Sequence, residues 1–181
     1  RKQAEEALAA SEAELRALFA SMHDVALVID RDGVYRKIAP TNPGLLVKPP
    51  EELLGKNLFD VFPAEQAEAF LGVVQQVLDT KQNAQIEYEL IIAGRTVWFQ
   101  TTISPLNADS TLWVAHDITR RKQVEEALQT AEANYRSIFE NATVGIYQST
   151  PQGRFLSVNP LMARIFGYDS PEEMITSTAS I

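Results

Sequence analysis

Cysteine is absent from this sequence of 181 residues, and histidine occurs only twice, at His23 and His116. The absence of cysteine excludes disulfides, zinc–thiolate sites, cysteine nucleophiles and flavins linked through cysteine. Long apolar runs are lacking too, since none approaches the roughly 20 residues that a membrane-spanning helix needs. The first residues are charged and have no apolar core like that of a signal peptide. We therefore expect a soluble, cytoplasmic fragment without direct membrane contact, whose parent protein is free to carry a membrane anchor elsewhere.

Positive charge is in the minority: 16 Lys and Arg residues stand against 24 Asp and Glu residues, and the net charge is −8. A chain with this balance repels phosphate, so we expect no nucleic acid among its partners. Hydrophobic residues make up 45% of the sequence. That content is enough for the core of one domain or of two small ones.

The sequence repeats itself at an offset of 120 residues. Residues 1–8 read RKQAEEAL and residues 121–128 read RKQVEEAL, and the similarity continues without a gap to Pro40 and Pro160. This period is too long for a solenoid and suits a small domain followed by a linker helix. We therefore expect a tandem array, in which the chain begins at the tail of an earlier repeat and ends within a later one.

Each copy of the repeat opens with a charged segment in which apolar residues recur at heptad spacing. We predict an N-terminal signalling helix over residues 1–22 and a linker signalling helix over residues 120–142. The seam indicates a coiled coil that pairs two chains in a homodimer; the alternative is an amphipathic helix that packs on its own domain. The seam residues are Leu8, Leu15 and Leu18 in the first copy and Val124, Leu128, Tyr135 and Ile138 in the second.

Between these helices, alternating apolar and polar residues predict strands. A short helix is expected at residues 49–54 and a longer amphipathic one at residues 64–79. The order predicts an α+β fold, a five-stranded antiparallel sheet with helices on one face. A complete domain would cover residues 23–119, and residues 143–181 would form the N-terminal part of a second. The predicted strands cover residues 25–30, 34–38, 86–92, 97–103 and 112–118, and the first two flank the hairpin signal Asp32-Gly33.

Several short strings carry a family resemblance. Residues 115–122 read AHDITRRK and are followed by Glu-Glu-Ala-Leu, and the second copy adds Asn159-Pro160, Phe166-Gly167-Tyr168 and Ser170-Pro171-Glu172-Glu173. With the element order, they resemble bacterial PAS domains, in which a last strand ending in Asp-Ile-Thr leads into a signalling helix. The resemblance implies tandem PAS sensor domains upstream of a histidine kinase or a diguanylate cyclase, as in two-component systems. The first copy departs from the family at residues 39–44, where Pro43 and Gly44 should shorten the helix.

The resemblance also bears on ligands, because PAS domains bind haem, flavin, small acids or nothing. Members that bind haem place an axial histidine on the long helix, and residues 64–79 contain none. We therefore predict no haem and no other cofactor, with a small apolar ligand as the alternative. The candidate pocket residues are Phe70, Val74, Tyr88, Phe99 and Trp113. The simpler interpretation is that these side chains only fill the core.

Asp117 and Thr119 stand where the last strand becomes the linker helix, and we assign signal transmission to them. The Thr119 hydroxyl is expected to cap that helix. His116, beside them, is expected to take part in hydrogen bonds at the junction, with pH sensing as the alternative. Trp98 falls on the strand face opposite Phe99, so we expect it to meet the N-terminal helix or a partner chain.

The first functional hypothesis is a sensory and relay module, which pairs with a second copy and acts on other domains of the same chain. The alternative is a passive spacer that dimerises without any ligand. The sequence shows no nucleophile–base pair, glycine-rich phosphate loop or metal-binding cluster, so we do not expect these residues to form an enzyme or to bind a metal.

Overall fold

A computed structural model describes residues 24–39 and 41–178, and the chain divides into two compact units, residues 1–122 and 123–181. The first unit contains strands β1 (Val25–Asp30) and β2 (Tyr35–Ile38), helices α1 (Pro50–Leu53), α2 (Leu58–Val61) and α3 (Ala64–Thr80), and strands β3 (Ala84–Ile92), β4 (Arg95–Pro105) and β5 (Ser110–Asp117). Helix α4 (Thr119–Asn141) starts in this unit and continues into the second, which adds β6 (Tyr147–Ser149), β7 (Phe155–Val158), α5 (Pro160–Ile165) and α6 (Pro171–Ser177). The N-terminal helix predicted for residues 1–22, with Leu8, Leu15 and Leu18, lies outside the described residues.

The strands of the first unit form one antiparallel sheet in the order β2-β1-β5-β4-β3. The predicted five-stranded antiparallel sheet is therefore confirmed. Side chains that alternate in the sequence alternate across the sheet, because successive Cβ atoms of a strand point to opposite faces. In β3 the alternation holds from Ile86 to Leu90, with the odd-numbered residues more exposed.

The connection between β1 and β2 is wider than the two-residue turn that Asp32-Gly33 predicted. The Asp30 carboxylate accepts hydrogen bonds from the backbone N–H groups of Asp32 (3.1 Å) and Val34 (2.8 Å) and from Arg36 Nε (2.6 Å). The carboxylate at the end of β1 thus joins the connecting loop and the start of β2 through three hydrogen bonds. Gly33 adopts φ +83°, a left-handed conformation that glycine tolerates best.

The two units each have their own core. In the first, α3 buries Phe70, Val74 and Val77 against the sheet, where they meet Ile103 and Trp113. The predicted shortening of the helix after β2 is also seen, since only a single 3-10 turn, Pro43–Leu45, stands there.

In the second unit, the fully buried Asn159 organises the start of α5. Its Oδ1 accepts from the N–H groups of Met162 (2.9 Å) and Ile146 (3.0 Å), and its Nδ2 donates to the Val144 carbonyl (2.9 Å). Three backbone groups that would otherwise lack partners are satisfied by one amide. This explains why asparagine stands at the end of β7.

Candidate functional site

A small cavity lies between the sheet and the helices of the first unit. Its walls come from the inward faces of all five strands, from α1 to α3, and from the segment Leu45 to Val47 after β2. Of the five predicted pocket residues, Phe70, Tyr88, Phe99 and Trp113 line it. Val74 does not, because it lies in the packed core with no exposed surface. Helical periodicity identified the buried face of α3 but not which residue of that face borders empty space.

The cavity volume is about 40 Å³, enough for about three water molecules. Sites for drug-sized ligands enclose roughly 300–1,000 Å³. Aromatic rings set this limit: Phe70 makes edge-to-face contacts with Phe62, Tyr88 and Trp113, with ring centroids 5.2, 4.8 and 5.7 Å apart. The cavity therefore suits a molecule much smaller than a drug-sized ligand.

Most polar groups near the cavity are engaged with protein partners. Trp113 Nε1 donates to Thr111 Oγ1 (2.9 Å), whose hydroxyl donates to the Ile29 carbonyl (3.0 Å). Thr101 Oγ1 donates to the phenol oxygen of Tyr88 (3.0 Å). The indole and both threonines are thereby satisfied, which leaves the tyrosine protons to consider.

Tyr35 is the cavity residue that the sequence did not reveal. It lines the cavity and is 3% exposed, and within residues 24–39 and 41–178 its hydroxyl has no hydrogen-bond partner. Burial raises the pKa of Tyr35. Burial also raises the pKa of Tyr88, although the hydrogen bond from Thr101 acts weakly in the opposite direction. A negative charge on Tyr88 would raise the pKa of Tyr35 further. Both stay protonated at neutral pH.

The junction between sheet and helix is held by β4. The backbone N–H of Trp98 donates to Thr119 Oγ1 (2.9 Å), and the backbone carbonyl of Trp98 accepts from the backbone N–H of Ile118 (2.8 Å). The Asp117 carboxylate accepts from the Thr119 N–H (2.8 Å). The expectation that the Thr119 hydroxyl caps α4 is wrong, because that oxygen is occupied by the strand and Asp117 takes the capping role.

Charged groups reinforce the same junction on the sheet face opposite the cavity. Glu87 of β3 forms ion pairs with Arg121 and with Lys122 Nζ (2.8 Å), both in the first turn of α4. Hydrogen bonds from Lys122 and then Arg121 lower the pKa of Glu87. Lys122 Nζ also lies 5.1 Å from the centre of the Trp98 ring, a cation–π contact. Trp98 thus meets the outgoing helix, whereas its predicted contacts with the N-terminal helix or a partner chain stay predictions.

His116 is placed at the same end of the sheet, one residue before Asp117. Its Nδ1 lies 2.6 Å from Asp24 Oδ1, which joins the end of β5 to the residue that precedes β1. This is the junction hydrogen bond expected of His116. The other histidine, His23, lies outside the described residues.

Helix α4 carries the predicted seam on its surface. Val124, Leu128, Tyr135 and Ile138 are each more than half exposed. Tyr135 also stacks on Phe139, with ring centroids 5.6 Å apart. Among residues 24–39 and 41–178, no cluster of three His, Asp or Glu side chains is placed to hold a metal ion. Over that same part of the chain, no helix is long and apolar enough to cross a membrane.

Comparisons with known proteins agree with this architecture. Among solved structures, the PAS domain of an HTR-like protein from Haloarcula marismortui is 24% identical, with a TM-score of 0.52 over 65% of this chain and all of that one. VqmA of Vibrio cholerae, a LuxR-type receptor, is 19% identical, with a TM-score of 0.51 over 58% of this chain and 50% of that one, so the chain spans half of VqmA. A family model described as the PAS fold matches residues 19–123, and one described as a PAS domain matches residues 133–181. The chain belongs to the PAS family.

Proposed function

We propose that this chain is a sensory and relay module of a larger signal-transduction protein. A change in the sheet would pass through the Asp117–Thr119 junction into α4, and from there to a histidine kinase or diguanylate cyclase domain of the same protein. The module would itself catalyse nothing. Membership of the PAS family supports the sensory role.

The observation that carries the relay is the attachment of the first turn of α4 to two strands. Thr119 is hydrogen-bonded to β4, and Arg121 and Lys122 are paired with Glu87 of β3. A helix tied at its start to two strands follows any change in their twist or separation, because its axis is set by those contacts. A helix joined to the sheet only by a covalent linker would have no such constraint.

The other end of the proposed relay is a second copy of the chain. The exposed apolar residues Val124, Leu128, Tyr135 and Ile138 recur at heptad spacing along α4, and pairing two such helices would bury them. VqmA, whose fold is similar, is described as a dimer. Sedimentation of the full chain tests this point. We expect a dimer at tens of micromolar that Leu128→Glu dissociates; a wild-type monomer at that concentration would remove the pairing.

Asp117→Ala tests the relay, with Asp109→Ala as its matched control. Asp109 lies in the turn at the opposite end of β5, is exposed, and contacts the rest of the chain through its backbone. In the parent protein, Asp117→Ala should abolish the response of the output domain to its stimulus, and Asp109→Ala should leave it intact. Both variants should unfold within about 1 kcal/mol of the wild type, the scale of one exposed hydrogen bond. An Asp117→Ala protein that signals normally would contradict the proposal.

A passive dimerising spacer is the second candidate, and the small size of the cavity favours it. A volume of about 40 Å³ would make the first unit a rigid, filled body that only sets distance and register. In that case amide hydrogen exchange in the first turns of α4 would not respond to any molecule that enters the cavity. In a sensor, amide hydrogen exchange in the first turns of α4 must change when a molecule enters the cavity.

A further inference from the structure

We propose that the free edge of β3 binds an extended peptide segment of another polypeptide, in which apolar residues alternate with lysine or arginine. The peptide would add to the sheet as a further antiparallel strand. Its apolar side chains would lie in a groove between β3 and the helices, and its basic side chains would lie on the opposite face of the sheet, beside Glu89. This interaction is separate from the relay through α4 and would bring a partner protein to the module.

Strand β3 is the last strand of the sheet and pairs on one side only. A bulge or a proline would protect such an edge from another strand. Strand β3 has neither, since its register with β4 is regular from Ala84 to Ile92. Within residues 24–39 and 41–178, no backbone hydrogen bond joins β3 to a segment other than β4. The edge is therefore open in this part of the chain.

The turn after β3 determines which backbone groups face the open edge. Ala93 and Gly94 form a two-residue turn in which both φ angles are positive, 49° and 75°. Such a turn is closed by a hydrogen-bonded pair, here Ile92 and Arg95. Because hydrogen-bonded pairs alternate along an antiparallel ladder, the even-numbered residues of β3 bond to β4 and the odd-numbered residues do not.

The contacts of Trp98 agree with this alternation. Trp98 lies opposite Glu89, and its backbone N–H and carbonyl are bonded to Thr119 and Ile118 rather than to β3. The backbone groups of Glu89 therefore point away from β4. The same holds for every odd-numbered residue of β3, so that the outward N–H and carbonyl groups are those of Gln85, Glu87, Glu89 and Ile91.

A groove of about 540 Å³ lies along the second half of this edge. Its apolar lining comes from β3, from the segment after β2 and from the junction of α2 and α3, and consists of Val47, Val61, Phe62, Pro63, Leu90 and Ile91. Side chains of an added strand alternate between the two faces of the sheet. Every second side chain of the peptide would therefore enter the groove, where an apolar one gains by leaving water. Lys48 also lines the groove, which disfavours a basic side chain on this face.

The opposite face of the edge is acidic and selects the other peptide residues. Glu87 and Glu89 both lie on that face. Glu87 already pairs with Arg121 and Lys122, whereas Glu89 has no ion pair among the described residues. A lysine or arginine opposite Glu89 would form a cross-strand pair of opposite charge. A second copy of β3 is a poor occupant, because antiparallel pairing centred on residue 88 or 89 would place Glu89 opposite Glu87 or Glu89 of that copy.

Amide hydrogen exchange in the full chain tests the edge directly. In the free protein, the amides of Glu87, Glu89 and Ile91 should exchange faster than those of Tyr88 and Leu90, which bond to β4. The peptide Val-Lys-Val-Lys-Val, acetylated and amidated at its ends, should slow the odd-numbered amides several-fold at millimolar concentration. The acidic peptide Val-Glu-Val-Glu-Val should not.

Methylation of the peptide backbone separates strand addition from attraction by charge alone. In the antiparallel arrangement the lysines lie opposite odd-numbered residues of β3 and exchange hydrogen bonds with them. N-methylation of both lysines should weaken binding at least about tenfold, because both of these N–H donors are lost. The N–H groups of the second and third valines point away from β3, so their methylation should change the affinity by less than about twofold.

Glu89→Gln should weaken binding of the lysine peptide about two- to fivefold, the value of an exposed ion pair. Glu68→Gln, the same change at an exposed site of α3, should leave it unchanged. Slow exchange at the odd-numbered amides of the free protein would overturn the proposal, since the chain itself or a second copy would then cover the edge. So would a lysine peptide that leaves these amides unchanged, equal binding of the acidic peptide or of the two methylated peptides, or wild-type affinity in Glu89→Gln. None of these results bears on the relay, which Asp117→Ala tests through the output of the parent protein.

Discussion

Replacing Thr119 by valine removes the hydroxyl that accepts a hydrogen bond from the backbone N–H of Trp98. The substitution changes the shape of the side chain very little. The Trp98 residue is half-buried, so its N–H would be left without an acceptor in a place where water replaces the lost bond only in part. An unsatisfied buried donor costs about 1–3 kcal/mol, and the partial exposure places the expected loss at about 1–2 kcal/mol. Valine and threonine have similar helix propensities, so α4 itself contributes little to the difference.

Urea unfolding of the full chain, monitored by tryptophan fluorescence, measures the free energy of unfolding of the first unit alone. Both tryptophans of the sequence, Trp98 and Trp113, belong to the first unit. With a urea dependence of roughly 1–1.5 kcal/mol per molar for a domain of this size, the midpoint of Thr119→Val should fall by about 1 M. Thr119→Ser keeps the hydroxyl and should stay within about 0.5 kcal/mol of the wild type. A Thr119→Val midpoint equal to that of the wild type, or a Thr119→Ser loss as large as that of valine, would refute the reasoning.

Two further predictions use the same unfolding assay. Gly33→Ala should lower the free energy of unfolding by about 1–3 kcal/mol, because φ is +83° and the new Cβ would lie 3.2 Å from Leu58 Cδ1. Gly72→Ala in α3, where a Cβ meets nothing within 4 Å, should raise the free energy of unfolding by about 0.5–1 kcal/mol. A Gly33→Ala protein more stable than Gly72→Ala would contradict the argument from backbone conformation. Since burial raises the pKa of Tyr35 above its ordinary value of 10.0, its contribution is fully present below pH 10 and is lost as the pH rises further, by at most about 1.4 kcal/mol per pH unit. Tyr35→Phe should therefore lose stability less steeply above pH 10 than the wild type, and identical slopes would show that the phenol is not buried in solution.

The sheet was accessible from the sequence because its evidence is local. Alternation along β3 and β4 identifies both the strands and the face that each side chain occupies. Phe70, Tyr88, Phe99 and Trp113 could therefore be assigned to one interior. The same reasoning could not exclude Val74, because the position of a void depends on how helices and strands pack rather than on periodicity.

Tyr35 escaped detection for a specific reason. The pairing of β1 with β2 shifts register, so that Val28 faces Lys37 while Ile29 faces Tyr35. Strict alternation back from Ile38 would have placed Tyr35 on the outer face, and the irregularity at Arg36 turns it inward. An extra residue in a strand leaves no reliable mark in a single sequence.

Thr119 was misjudged because two partners compete for one hydroxyl. A threonine before a helix is locally a good cap, but the N–H of Trp98 lies 21 residues away in sequence and reaches the same oxygen at 2.9 Å. Asp117, two residues upstream, is then the side chain left to cap α4. Such a choice is decided by tertiary contacts that a local pattern does not contain.

The place of β5 at the centre of the sheet also fixes when the first unit becomes a folded body during synthesis. Val25 pairs with Ala115, so the first strand made cannot join the sheet until a segment about ninety residues later has left the ribosome. Until then the hairpin of β1 and β2 and the hairpin of β3 and β4 have no common partner. The strand that completes the sheet is also the one that leads directly into α4. The helix therefore emerges only after all five strands of the sheet to which it is tied have been made.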